Sequence, residues 1–370
     1  MFRSLGSDDL LHQTPRRICV IKPSALGDVV QTLPLLPVLK SRFSSASIAW
    51  VINRELKDLV EGHPQIDEVI PFDRRGSWRD WIRLFSDLRS RQFDMVFDLQ
   101  GLFRSAVMTL ATGASVRVGL QTAREGSYLA TNCTIPDTGL NVPAHARLWR
   151  VAEFLGFTDA PKETLIATSE ADRTSVASLL KRLPRPVIAV HPGAGWETKR
   201  WPVEKFATLL SHCSATWGGS TIILGSRGER VEAERLHQLL AGLQTSSLAS
   251  PDNIINLAGE TTLKQLTQLL KQVDITVSND SGPMHLAAAL GTPTLGLFTC
   301  TSATRSGPSG MMHEVVSTTV PCAASYCKRC PNQGEMHMVC LQELDVERAW
   351  QALQRLVIKN EIPTSPQYVA

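Results

Sequence analysis

Short apolar, β-branched runs alternate along this chain with longer stretches whose apolar positions recur at helical spacing. That rhythm predicts parallel sheets covered by helices. In the first half the predicted strands are 17–22, 47–52, 68–71, 94–99 and 116–119. In the second half they are 187–191, 221–225, 254–257, 275–278 and 294–298. Each set is about what one doubly wound domain uses. The tail, residues 346–360, places Val346, Ala349, Leu353, Leu356 and Val357 at helical spacing and predicts a closing helix.

Between the two sets the segment 156–186 ends in Leu183-Pro184-Arg185-Pro186, where each X-Pro step disfavours helix and marks an entry into a new domain. The boundary is expected near 160–185. It gives a first domain over 1–165 and a second over 180–345, with the closing helix free to pack back on the first.

Composition narrows the class. Of the 370 residues 43% are hydrophobic and 20% charged, values that exclude a disordered chain, and no run reaches the roughly 18 apolar residues of a spanning helix. Met1 to Pro15 contain Asp8, Asp9, His12 and Gln13 without an apolar core, so no secretory signal is read there and a cytoplasmic location is expected. The net charge of +3 is too small to imply nucleic acid. It suits an anionic substrate, or a peripheral contact with anionic lipid.

Ligands of doubly wound sheets sit beyond the carboxyl ends of the strands, so the informative places are strand-to-helix turns. Lys22-Pro23-Ser24-Ala25-Leu26-Gly27-Asp28 follows the first strand. It is not a GxGxxG turn, which disfavours a dehydrogenase, and it sets Asp28 at a helix mouth, as a cap or as a base. His191-Pro192-Gly193-Ala194-Gly195-Trp196-Glu197-Thr198-Lys199-Arg200 offers backbone N–H groups and two cations to phosphates, or is a solvated surface loop. In Ser278-Asn279-Asp280-Ser281-Gly282-Pro283-Met284-His285, Asp280 or Ser281 would cap a helix whose first N–H groups make an anion site. Two anion-type turns in one domain favour a diphosphate ligand. In the first domain Asp98–Ser105, Gln121–Glu125 and His145–Arg147 offer Arg104, Arg124 and Arg147, suited to carboxylate or phosphate unless salt-bridged.

These stretches together resemble glycosyltransferase family 9, the bacterial ADP-heptose:lipopolysaccharide heptosyltransferases. The resembling segments are KPSALGDVVQTLP, FDLQGLFRSA, GLQTAREGS, HPGAGWETKRWPVEKF and SNDSGPMHLAAALGTPTLGLF, in order over residues 16 to about 300. The resemblance implies an α/β fold of GT-B type, two Rossmann-like doubly wound domains facing a central cleft. The first would bind the acceptor and the second the nucleotide sugar. It implies an inverting, metal-independent transfer of heptose from ADP-heptose to a lipopolysaccharide-core-type or related glycan acceptor, with no cofactor, at the cytoplasmic face of the inner membrane.

The resemblance assigns Asp28 as general base. It assigns Lys199, Glu229, Asp280, Ser281, Gly282 and His285 to the donor, and Arg104, Arg124 and Arg147 to the acceptor. The turn Gly193-Ala194-Gly195 departs from the hydroxyl residues often found there, which bears on donor identity. A relative using another nucleotide sugar, or a non-catalytic sugar-nucleotide-binding protein, are the alternatives. A pure binder needs no base facing the donor.

Cys322, Cys327, Cys330 and Cys340, with His337 nearby, form a late cluster outside the resembling segments. Its spacing admits free thiols, structural zinc, a disulfide or an iron–sulfur cluster, and in any of these a structural role.

Overall fold

A computed structural model of the chain describes residues 6–243 and 251–364. The chain divides after Ala167 into two compact units.

The first unit is built on a parallel sheet of β1 (Arg17–Ile21), β2 (Ser47–Asn53), β3 (Glu68–Phe72), β4 (Met95–Asp98), β5 (Val116–Leu120) and β6 (Cys133–Ile135). Their spatial order is β3-β2-β1-β4-β5-β6. The second unit carries β7 (Val187–His191), β8 (Ser220–Ile223), β9 (Ile254–Asn256), β10 (Ile275–Asn279), β11 (Thr294–Phe298) and β12 (Glu314–Ser317), in the order β12-β11-β10-β7-β8-β9. The two orders are the same when each unit is counted from its own first strand. In both, the chain runs outward for three strands and then returns to the other side of the first. The reversal falls between β1 and β4 in one unit and between β7 and β10 in the other, where Ile18 pairs with Met95 and Val277 with Val190. An open α/β sheet binds ligands at such a reversal, because the flanking helices diverge there and leave a crevice.

The central strands are apolar on both faces because helices cover both. Every residue of β4, β5, β7, β10 and β11 is buried. Cys19, Ile21, Val51, Val96, Leu84, Leu88 and Met108 form a core in the first unit. Ile188, Val190, Phe206, Leu210, Val277 and Leu297 do so in the second.

The closing helix, Val346–Lys359, starts on Asp345, whose side chain accepts the Arg348 N–H at 2.8 Å. It buries Ala349, Ala352, Leu353, Leu356 and Val357 in the second unit's own core, with the tilted rings of Trp350 and Trp217 centred 4.7 Å apart. Its apolar stripe packs against β11, β12 and the helix Val203–Trp217 of the same unit. The ten predicted strands are present, while β6 and β12, edge strands of three and four residues, were not anticipated. Among the described residues no helix is long and apolar enough to cross a membrane.

Candidate active site

At the reversal of the second sheet, Asn279 ends β10 fully buried and clamps the loop that follows β7. Its amide donates to the Pro192 carbonyl at 2.7 Å, and its oxygen accepts the Trp201 N–H at 3.2 Å. The loop is thereby fixed at both ends, and Lys199 hangs from it. The Lys199 ammonium donates to Oδ2 of Asp280 at 2.7 Å and lies 4.5 Å from the centre of the Trp196 ring. Thr301 donates to the same oxygen at 2.6 Å, and His285 Nε2 is 3.8 Å from the other. Burial alone would raise the Asp280 carboxyl. The hydrogen bonds and charges of His285, Lys199 and Thr301 outweigh it and hold the group at about 2.

Ser281 occupies the N-cap position of the helix Gly282–Ala289, yet its side chain makes no capping bond. Its hydroxyl shares hydrogen bonds with His191 Nδ1 at 3.1 Å and Ser278 Oγ at 2.9 Å. The first N–H groups of a helix with Pro283 in its opening turn are left uncapped by that hydroxyl, which suits them to an anion. His191 in turn has Nε2 3.5 Å from Oε2 of Glu229. Glu229 also accepts the Ser226 N–H at 2.8 Å and hydroxyl at 2.7 Å. Burial pushes the Glu229 carboxyl up, but His191 and Ser226 bring it down to about 2. Gly193 fits against this carboxylate only because it has no side chain, since a Cβ there would stand 2.0 Å from Oε1. Lys199, Glu229, Asp280, Ser281, Gly282 and His285 thus gather around one strand reversal. A cation and a helix end are the partners that a diphosphate needs. His191, which bridges Glu229 and Ser281, was missed from sequence; its place at the end of β7 was the available signal.

The late cysteines belong to a strap over this loop. Thr198 donates to the Cys327 carbonyl at 2.7 Å, Tyr326 N–H to the Cys300 carbonyl at 2.8 Å, and Thr299 to the Thr198 carbonyl at 2.6 Å. All eight cysteines are free thiols. Cys330 Sγ accepts the Met338 N–H at 3.3 Å, and burial together with Cys322, Cys300 and Cys330 pushes the Cys340 thiol up to about 11. Among the described residues no three His, Cys, Asp or Glu side chains converge as metal ligands. The four sulfurs are zinc ligands by type and are not gathered into a coordination sphere.

At the reversal of the first sheet, Lys22 is buried, donates to the Leu99 carbonyl at 3.0 Å and lies 3.7 Å from Oδ2 of Asp28. Asp28 stands in the first turn of the helix Leu26–Thr32, where Oδ2 accepts the Ala25 N–H at 3.2 Å. It therefore does act as a cap, while its side chain remains 42% exposed and reachable by a substrate. Asp98, the other carboxylate at this reversal, is 1% exposed and fully engaged. It accepts the N–H groups of Gln100 and Gly101 at 3.0 and 2.9 Å and the Ser105 hydroxyl at 2.9 Å, and burial pushes its pKa up. It shapes its turn and is closed to substrate.

That turn is knitted to the one after β5. Arg124 N–H donates to the Gly101 carbonyl at 2.8 Å, and a Cβ on Gly101 would stand 3.1 Å from Cα of Ala123. Arg104 and Arg124 so share a rim, Arg104 with its guanidinium 5.9 Å from the Trp81 ring centre and Arg124 exposed. Arg147, its Nε donating to the Val142 carbonyl at 2.8 Å, stands on the helix Ala144–Phe154, which packs on the Asp28 helix.

The family model described as Glycosyltransferase family 9 (heptosyltransferase) matches residues 81–335. The lipopolysaccharide core heptosyltransferase OpsX of Haemophilus influenzae is 27% identical over 310 residues, 83% of this chain and 86% of that protein. Lipopolysaccharide heptosyltransferase 1 of Pseudomonas aeruginosa is 28% identical over 366 residues, 93% and 99% of the two chains. Among solved structures, E. coli ADP-heptose LPS heptosyltransferase II superposes with a TM-score of 0.72 at 25% identity, covering 93% of this chain and 99% of that one. The family 9 glycosyl transferase of Veillonella parvula has a TM-score of 0.75 at 23% identity, covering 93% and 97%, and shares the fold. The matched span holds every donor-side candidate at the second reversal and the candidates Arg104, Arg124 and Arg147 of the first unit, and the chain belongs to glycosyltransferase family 9, the heptosyltransferases.

Proposed function

We propose that this enzyme transfers heptose from ADP-heptose to a lipopolysaccharide-core-type or related glycan acceptor, with inversion and without a metal ion. The observation that carries the reading is the Lys199–Asp280–His285 constellation beside the uncapped start of Gly282–Ala289. Lys199 and the helix N–H groups take the diphosphate charge, and Glu229 takes a hydroxyl of the nucleoside. Arg104, Arg124 and Arg147 hold an anionic acceptor. Asp28 accepts the proton of the acceptor hydroxyl as that oxygen bonds to the anomeric carbon. The bond from that carbon to the diphosphate oxygen breaks, and ADP leaves with the electron pair. Preorganised donors aimed at the departing charge do the work that a divalent cation does elsewhere.

The Cys327 carbonyl accepts the Thr198 hydroxyl beside Lys199, so the cysteine-bearing segment serves the positioning of that turn and not the transfer. Because a lipopolysaccharide precursor is anchored by its lipid, the enzyme works at the cytoplasmic face of the inner membrane. Gly193-Ala194-Gly195 keeps open a second reading, a different nucleotide sugar.

The test is product release from a panel of ADP-, UDP- and GDP-sugars with a heptose-deficient lipopolysaccharide core as acceptor. ADP release from ADP-heptose, with the anomeric configuration inverted, is expected. Turnover of another nucleotide sugar in its place, or retained configuration, would overturn the reading.

A further inference from the structure

The helix Trp78–Ser90 buries Leu84 and Leu88, and packs Trp81 between Phe72 and Phe85, with ring centres 5.5 and 5.8 Å apart. On its other side Trp78 and Ile82, four residues apart and hence on one face, are 67% and 55% exposed. A single exposed apolar side chain is ordinary. Here neighbours extend the surface: the helix Phe103–Thr112 packs against Trp78–Ser90, and the short turn Ser127–Ala130 packs against that helix. They add Phe103, Tyr128 and Leu129, each more than half exposed.

Cations surround these groups. Residues 73–92 contain six arginines against three aspartates. Arg79 lies over the Trp78 ring at 5.4 Å. Among the described residues Arg74, Arg75 and Arg79 make no ion pair. Arg104 stands between the helices over Trp81, and its pKa is lowered by burial and then by the charge of Arg74, with Glu125 opposing. Crowded cations beside exposed aromatic and aliphatic groups need an occupant that is anionic at its surface and apolar beneath. A second copy of the chain does not supply this, because a self-complementary contact would set the arginines of one copy against those of the other. Nucleic acid would leave Ile82 and Leu129 without a partner.

We infer that this face of the first unit docks on an anionic lipid bilayer. Trp78, Ile82, Phe103 and Leu129 enter the interfacial layer, and the arginines meet headgroup phosphates. Trp and Tyr favour that depth, since their rings are apolar with one polar edge, and guanidinium binds phosphate through its fork. The inference rests on the proposed lipid-anchored acceptor only for its purpose. The face carries Arg104, so a docked enzyme would meet its acceptor at the surface in which the acceptor is embedded.

The experiment is co-sedimentation of the full chain with vesicles of phosphatidylcholine alone or with phosphatidylglycerol added. Neither donor nor acceptor is present, so a failed transferase reading would leave this result untouched. The parent should bind the phosphatidylglycerol vesicles and not the neutral ones. Arg75→Gln with Arg79→Gln should weaken binding by about fivefold per arginine. Trp78→Ser with Ile82→Ser should weaken it at least about tenfold, from the apolar area withdrawn. All four positions are exposed, so melting temperatures should stay at the parent value, and transfer to a soluble, delipidated acceptor should be unchanged. Equal binding of the parent to both vesicle types, or variants that bind as the parent does, would overturn the inference. So would a parent that is dimeric by light scattering and becomes monomeric with Trp78→Ser and Ile82→Ser.

Discussion

The Lys199 ammonium is held 2.7 Å from Oδ2 of Asp280, a carboxylate only 5% exposed. Asp280 accepts a hydrogen bond from one of the three N–H groups of the ammonium and leaves two for a phosphate, so the pair aims the lysine and keeps its charge in place. Lys199→Ala should weaken ADP binding by about 1.5–3 kcal/mol, the value of a charge-assisted hydrogen bond. It should also lower stability by about 1–3 kcal/mol, because a buried acceptor loses a partner. Calorimetric titration and denaturant unfolding separate the two effects. A stability loss with unchanged ADP affinity would make Lys199 a purely structural residue.

Gly193 gives an independent probe of Glu229. A methyl group at 193 would stand 2.0 Å from Oε1 and 2.4 Å from Cδ of Glu229, which Ser226 and His191 hold in place. Gly193→Ala therefore displaces the carboxylate without removing it. If Glu229 contacts the nucleoside, ADP affinity should fall about tenfold, the size of one lost hydrogen bond. Equal nucleotide affinity in the variant would confine Glu229 to bracing His191.

Acidification should weaken the two units in different pH windows. Burial holds His63 of the first unit down to about 4, so the fold keeps it neutral. The unfolded chain takes that proton near the ordinary 6.5, and stability is lost as pH falls from about 6.5 to about 4. In the second unit Asp280 and Glu229 are both held near 2, below their ordinary values. Their contribution is complete above the unfolded carboxyl range and is lost as pH falls from about 4.5 to about 2. Melting followed against pH should show His63→Gln flattening the upper window and Glu229→Gln the lower. No change in either slope would mean that these groups titrate alike in the folded and unfolded chain.

What could be read in the sequence was the chemistry of turns. Lys199, Asp280 and His285 are recognisable because a strand end, small residues and a helix start leave few places for a charge to point. The strap was not recognisable. Thr198 reaches the backbone carbonyl of Cys327 across 129 positions, and a bond to a carbonyl leaves no mark in residue type. Ser281 held the cap position as expected, but which neighbour its hydroxyl prefers depends on His191, ninety residues away. The edge strands β6 and β12 offered too few apolar positions to show a period. The tail helix showed its period clearly, but periodicity identifies a buried face without naming what buries it.

Chelation is expected to leave transfer intact, since the diphosphate charge is assigned to Lys199 and a helix end. Turnover in excess EDTA checks this. Activity lost with the fold unchanged, and restored by Mg²⁺ or Mn²⁺, would require a metal in the reaction.

Asp28 both accepts the Ala25 N–H and lies 42% exposed at the first sheet's reversal. Asparagine can keep that hydrogen bond, since Asn caps helices about as well as Asp, but it cannot accept a proton at neutral pH. The most direct measurement is steady-state transfer by Asp28→Asn alongside its affinity for ADP-heptose. Transfer should be lower by about 10²–10⁴, the usual contribution of a general base, with donor affinity close to the parent's. Near-normal turnover by Asp28→Asn would contradict the base role and leave the carboxylate a helix cap.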